Sequence, residues 1–140
     1  MSTEYRDLLE TAGAPALDEI DTLLATIHPD FRPCLLRMRE ALFHRDLTVA
    51  SLRQAAARRG YEFSKAFREA YGQRPTRFIS TKRLETACRL LRETDLPVGV
   101  IARLVGFTGI HAFGMRFRQE VGQSATEFRE SVRGSQGAPA

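Results

Sequence analysis

The side chains able to do chemistry in this 140-residue chain are mostly cations. Lysine and arginine number 21 against 17 carboxylates, a net charge of +4. The charges are segregated along the chain. Residues 1–44 hold four arginines and eight carboxylates, a balance of −4, and residues 45–140 hold 17 basic and nine acidic side chains, a balance of +8. A basic body of this kind suits a polyanion such as nucleic acid; a solvated, arginine-rich surface would have the same composition. If the partner is DNA, phosphate contacts carry much of the affinity. Arg68, Arg74, Arg77, Arg116, Arg118 and Arg129 are the candidates for them.

Catalysis finds little footing. His28, His44 and His111 share no metal-site spacing with the cysteines or carboxylates. There is no glycine-rich phosphate loop, nucleophile motif or catalytic carboxylate pair, so neither an enzyme nor a cofactor is expected. Cys34 and Cys88 are far apart and fit reduced, buried thiols rather than a disulfide or metal site. No run approaches the ~20 apolar residues of a membrane span. The opening "MSTEYRDLLE" lacks a signal-peptide layout. A cytoplasmic, nucleoid-associated protein with no membrane partner is the expectation.

The elements that must position these cations all read as helices. Leu17, Ile20, Leu23, Leu24 and Ile27 form one apolar face and predict an amphipathic helix over about 15–27. Pro29 breaks the chain, and Pro33 suits the first turn of a helix over about 33–44. Thr48 is a plausible N-cap for a helix over about 49–57, followed by one over about 60–71 that stops at Gly72. Pro75 opens the longest helix, about 75–93, with Phe78, Ile79, Leu84, Ala87, Cys88 and Leu91 as its stripe. Helices over about 97–105 and 110–121 follow. Ser124 and Glu127 make a capping box for a last one, and residues 134–140 read as a disordered tail. No segment alternates with period two, so the fold class is all-α.

The middle and the end of the chain repeat each other. Leu47, Val49 and Leu52 correspond to Leu96, Val98 and Ile101 at an offset of 49; Phe63, Phe67, Gly72 and Phe78 correspond to Phe113, Phe117, Gly122 and Phe128 at an offset of 50. Each copy is a short apolar helix, a tight turn, a second helix centred on phenylalanine, and a glycine stop. Two short helices joined this way form a helix-turn-helix, whose second helix fits the major groove of DNA. In the second copy Gly106 fits a turn with positive φ. Phe107 should pin that turn, and Phe113 and Phe117 should hold one helix face to the core. Ile110, His111 and Met115 are left on the outer face. The helix between the copies spans roughly 27 Å, which would place two projecting helices about 34 Å apart, one turn of B-DNA.

These features carry a resemblance. Ile101, Ala102, Gly106, Phe107, Phe113, Phe117, Arg118, Gly122, Phe128 and Arg129 match, without a gap, the second helix-turn-helix and terminal helix of the AraC/XylS family of bacterial transcription regulators. The segment "LTVASLRQAAARRGYEFSKAFREAYGQRPTRFISTKRLETACRLL" resembles that family's first unit and linker helix. The resemblance covers about residues 33–133. It implies a sequence-specific regulator that places two recognition helices in successive major grooves of double-stranded DNA, as a monomer, and that contacts RNA polymerase as activators do. The implied organisation is an acidic extension over 1–30 with one amphipathic helix, and a DNA-binding domain over 31–133. Within it the first helix-turn-helix covers about 47–72, the linker helix about 75–93 and the second helix-turn-helix about 96–122.

The resemblance also assigns positions. In the first unit the base-reading positions fall on Gly60, Tyr61, Ser64 and Lys65, with Glu62 beside them; Lys65 could donate to guanine O6 or N7. In the second they fall on Thr108, Ile110, His111 and Met115. Two departures stand out. Ala57 replaces a turn glycine, and Arg58 replaces an apolar residue and, like Arg59, could reach a phosphate. Gly114-Met115 replaces the usual Ser-Arg, which removes an arginine able to read guanine. Base preference is therefore expected to lean on the first unit. A protein-interaction module that keeps the fold but binds DNA weakly is the competing expectation. The 30-residue extension is too short for the ligand-sensing domain common in the family. Its helix could pack on the domain, self-associate or dock a partner, in that order of preference.

Overall fold

The computed structural model describes residues 3–55 and 60–137. Among them the chain forms α1 (Thr3–Thr26), a 3-10 turn (Pro29–Phe31), α2 (Arg32–Ala41), α3 (Val49–Ala55), α4 (Gly60–Tyr71), α5 (Pro75–Glu93), α6 (Val98–Leu104), α7 (Ile110–Val121) and α8 (Ala125–Gly137), with no strand. The architecture is all-α, as expected.

Two apolar clusters organise these helices, one around each repeat. In the first, Phe63 and Phe67 of α4 stack with Phe78 of α5 and Phe31, above Leu35, Met38 and Leu52. In the second, Phe113 and Phe117 of α7 meet Phe107 and Phe128, above Leu84, Ala87, Leu91 and Ile101. Burying each of these rings is worth about 1.5–3 kcal/mol. Helix α5 serves both, giving Phe78 and Ile79 to the first cluster and Leu84, Ala87, Leu90 and Leu91 to the second.

Helix α1 differs from expectation. It starts at Thr3 rather than near residue 15, and Pro15 lies inside it. An interior proline removes a backbone donor and normally costs about 3 kcal/mol. Here packing along the whole length offsets that cost. Leu8, Leu9 and Ala12 pack on the second cluster, while Ala16, Ile20 and Leu23, with Ile27 just past the helix end, pack on the first. Arg89 of α5 donates to the Ala12 carbonyl at 3.2 Å. The apolar stripe of α1 therefore continues upstream of Pro15, and the helix lies across α5 and α2 as part of the domain's core. The other end differs too. Helix α8 runs through Gly137, into the segment expected to be a disordered tail.

Hydrogen bonds close the helix ends. Thr48 and Ser51 bond reciprocally at the start of α3, Ser51 N–H to Thr48 Oγ1 at 3.1 Å and Thr48 N–H to Ser51 Oγ at 3.0 Å. Ser124 and Glu127 form the expected capping box at α8, with bonds of 3.1 and 3.2 Å. Acidic α1 is also held ionically. Lys82, buried in α5, places Nζ 2.5 Å from Glu19 and 3.2 Å from Glu85, and the Tyr71 hydroxyl donates to Glu19 at 3.0 Å. Burial works against the Lys82 charge, but the bonds to Glu19 and Glu85 outweigh it and hold its pKa above the ordinary lysine value.

Candidate nucleic-acid interface

The second unit shows how a turn aims a helix. Helix α6 is capped at Val105, and the next residue, Gly106, takes φ +107°. The Gly106 N–H donates to Arg103 O at 3.1 Å and the Phe107 N–H to Ala102 O at 3.0 Å. This is the Schellman arrangement, which satisfies the last carbonyls of a helix while reversing the chain. Phe107 then folds against Phe113, with ring centroids 5.3 Å apart. With Phe113 and Phe117 fully buried, α7 has one fixed face and one free face. On the free side lie Thr108, His111, Ile110 (57% exposed) and Met115 (61% exposed). Ile110 and Met115 are the large apolar side chains that this unit leaves exposed.

The first unit is built on the same scaffold but presents different chemistry. Phe63 and Phe67 pin α4, and its outer face carries exposed Glu62, Lys65 and Arg68 with half-buried Ser64. Gly60 and Tyr61 begin the helix. The Tyr61 side chain lies outside the described residues, as do Arg58 and Arg59 and with them the altered turn at Ala57.

The phosphate candidates separate into groups. Arg68, Arg74 and Arg77 come together around a surface cleft of about 360 Å³ between the end of α4 and the start of α5. Arg77 also spans to α7, with both terminal nitrogens on Glu120 at 3.1 and 3.2 Å. Arg118 bonds Glu127 at 3.3 Å and Arg116 reaches Gln119 at 3.5 Å, so these side chains already have partners. Arg129, also a phosphate candidate, is engaged within the domain. Its Nε donates to Leu91 O at 3.0 Å and one terminal nitrogen to Thr94 O at 3.2 Å. Arg133 joins it on Leu91 and Thr94 and pairs with Asp95 at 2.6 Å. The two arginines cap the C-terminus of α5, whose unpaired carbonyls and helix dipole attract cations. Spacing on α8 alone could not reveal that demand.

Arg83 was missed from the sequence. It is buried in α5, and burial lowers its pKa to about 10. Ile79, Arg83, Thr86 and Leu90 are all buried and follow helical spacing, a second stripe on α5 that the Arg83 charge masks in the sequence. Both thiols are unsuited to chemistry at neutral pH, since burial pushes Cys34 and Cys88 up to about 11. Among the described residues no group of three or more His, Cys, Asp or Glu could hold a metal ion, and no helix is long and apolar enough to cross a membrane.

A paired helix-turn-helix on one linker helix is an architecture shared with known proteins. The family described as a helix-turn-helix domain matches residues 54–131. The chain belongs to the AraC/XylS family of transcription regulators. It is 32% identical over 115 residues to the RCS-specific HTH-type transcriptional activator RclR of Escherichia coli (strain K12), a match covering 82% of this chain and 40% of that protein. It is 29% identical to the probable transcriptional regulator LumQ of Photobacterium leiognathi, covering 67% of this chain and 38% of that protein. The chain thus spans about two fifths of these relatives. Among solved structures, the DNA-binding domain of the global transcriptional factor AdpA, crystallised with a target DNA, superposes with a TM-score of 0.68 at 28% identity, covering 76% of this chain and 98% of that domain. The C-terminal domain of AraT, a response regulator from Geobacillus stearothermophilus, shares the fold at 24% identity with a TM-score of 0.69, covering 76% of this chain and 88% of that one.

Proposed function

We propose that this AraC-type regulator reads double-stranded DNA with α4 and α7 in successive major grooves, and that α4 carries most of the base preference. The observation that carries this reading is the pair of solvent-facing helix surfaces, each pinned from behind by buried phenylalanines, within a segment, residues 45–140, of net charge +8. The similar AdpA domain was crystallised on its target DNA. On α4, Lys65 is the donor to guanine, flanked by Tyr61, Glu62 and Ser64, with the Gly60 backbone approaching the groove. On α7, His111 is the polar reader and Thr108 a second one, while Ile110 and Met115 meet thymine methyl groups. Arg68, Arg74 and Arg77 contact phosphate from the cleft at the α4–α5 junction, and Arg58, Arg59, Arg116 and Arg118 from the two units. In this reading the protein binds as a monomer and contacts RNA polymerase.

A salt titration on a random-sequence duplex tests the electrostatic half of this reading. A protein making about six phosphate contacts should weaken by roughly three orders of magnitude between 50 and 200 mM salt. No binding at low salt would remove it. A second reading, a protein-docking module on the same fold, is favoured by the exposure of Ile110 and Met115, and flat salt dependence would support it.

A further inference from the structure

Besides helices α1 and α5, one side chain from a connection joins the two units. Phe43, in the connection after α2, packs against both apolar clusters. Its ring sits on α1 where Gly13 leaves room: a Cβ there would stand 2.5 Å from Phe43 Cε2. The carbonyls on either side of Phe43 are both held by Arg83 of α5. Nε donates to Leu42 O at 2.8 Å and a terminal nitrogen to His44 O at 2.8 Å. The turn of the second unit closes on the same point. A Cβ on Gly106 would lie 2.8 Å from Arg83 Nε and 3.0 Å from the Phe43 carbonyl carbon. One guanidinium therefore touches the segment that leads into α3 and the turn that launches α7.

We propose that the Gly13–Phe43–Arg83–Gly106 junction sets the angle between the two helix-turn-helix units, and so the half-site spacing this chain accepts. The inference rests on the DNA-reading function proposed above. Arg83 and Phe43 are positioning residues with no contact to DNA. Their geometry explains why a buried cation is kept at the centre of the linker helix. A guanidinium spans two carbonyls with fixed angles, which an apolar side chain of the same length cannot do. Removing it frees the α2–α3 connection and the Gly106 turn from each other while each unit keeps its own phenylalanine core.

The test uses a site selected from random DNA, rebuilt with the interval between its two blocks changed by one base pair either way. The full chain should lose about tenfold in affinity for each change, because a one-pair step rotates the second groove away from α7. In Arg83→Met and Phe43→Leu, with folding checked by circular dichroism, this penalty should fall to about threefold or less. Arg83→Lys, which keeps the charge but not the two-pronged fork, should restore only part of it. Lys65→Ala should weaken binding at every interval and leave the penalty unchanged. Wild-type spacing discrimination in both folded junction variants would overturn the proposal alone. Failure to select any sequence would overturn the DNA-reading account and this proposal with it. If Arg83→Met does not fold, Phe43→Leu decides.

Discussion

The two helix-turn-helix units have nearly identical interiors and different exteriors. Inside, the ring pairs Phe63–Phe67 and Phe113–Phe117 stand 5.8 and 5.5 Å apart, and Phe78 and Phe128 close each cluster at 5.4 and 5.7 Å from the preceding ring. Outside, α4 offers charged and hydroxyl side chains, whereas α7 offers isoleucine, histidine and methionine. The difference teaches that the buried face of a recognition helix fixes where it points, independently of what it carries. An outward face can lose its hydrogen-bonding side chains without any change in the packing behind it.

Four outcomes would break or sharpen that comparison. Phe67→Ala and Phe117→Ala should each destabilise the protein by about 3–5 kcal/mol in chemical denaturation; costs differing by more than about 2 kcal/mol would show that the interiors are not equivalent. Gly106→Ala should cost about 3 kcal/mol, since the side chain meets both a positive φ and Arg83. Gly122→Ala shares the positive φ but has open space around it, so it should cost only about 1 kcal/mol. Across a randomised site library, Lys65→Ala should erase about 1–3 kcal/mol of base discrimination at one position, and His111→Ala less. An equal or larger loss from His111→Ala would make α7 the principal reader. Gly114→Ala, into open space midway along α7, should raise stability by about 0.5–1 kcal/mol in thermal melts. A loss would show that the glycine is needed by the packing of α7.

What was legible in the sequence followed from local rules. The phenylalanine repeat, the Gly106-Phe107 turn and the capping box at Ser124 depend on helical spacing and on hydrogen bonds a few residues long. What was not legible depends on distant partners. Pro15 looks like a helix start because the packing that lets α1 continue through it comes from α5 and both clusters. Arg129 looks like any exposed cation until the carbonyls of Leu91 and Thr94 are seen to need it. Arg83 was hidden by its charge, since a cation in a buried stripe reads as an interruption of it. The altered turn at Ala57-Arg58 falls outside the described residues.

The most direct test of a two-helix DNA reader is selection of bound sequences from a random duplex library by the full chain. Two enriched blocks should emerge, centred about one helical turn apart, with the block under α4 the more strongly constrained. A single block under α7, or no enrichment at low salt, would contradict it.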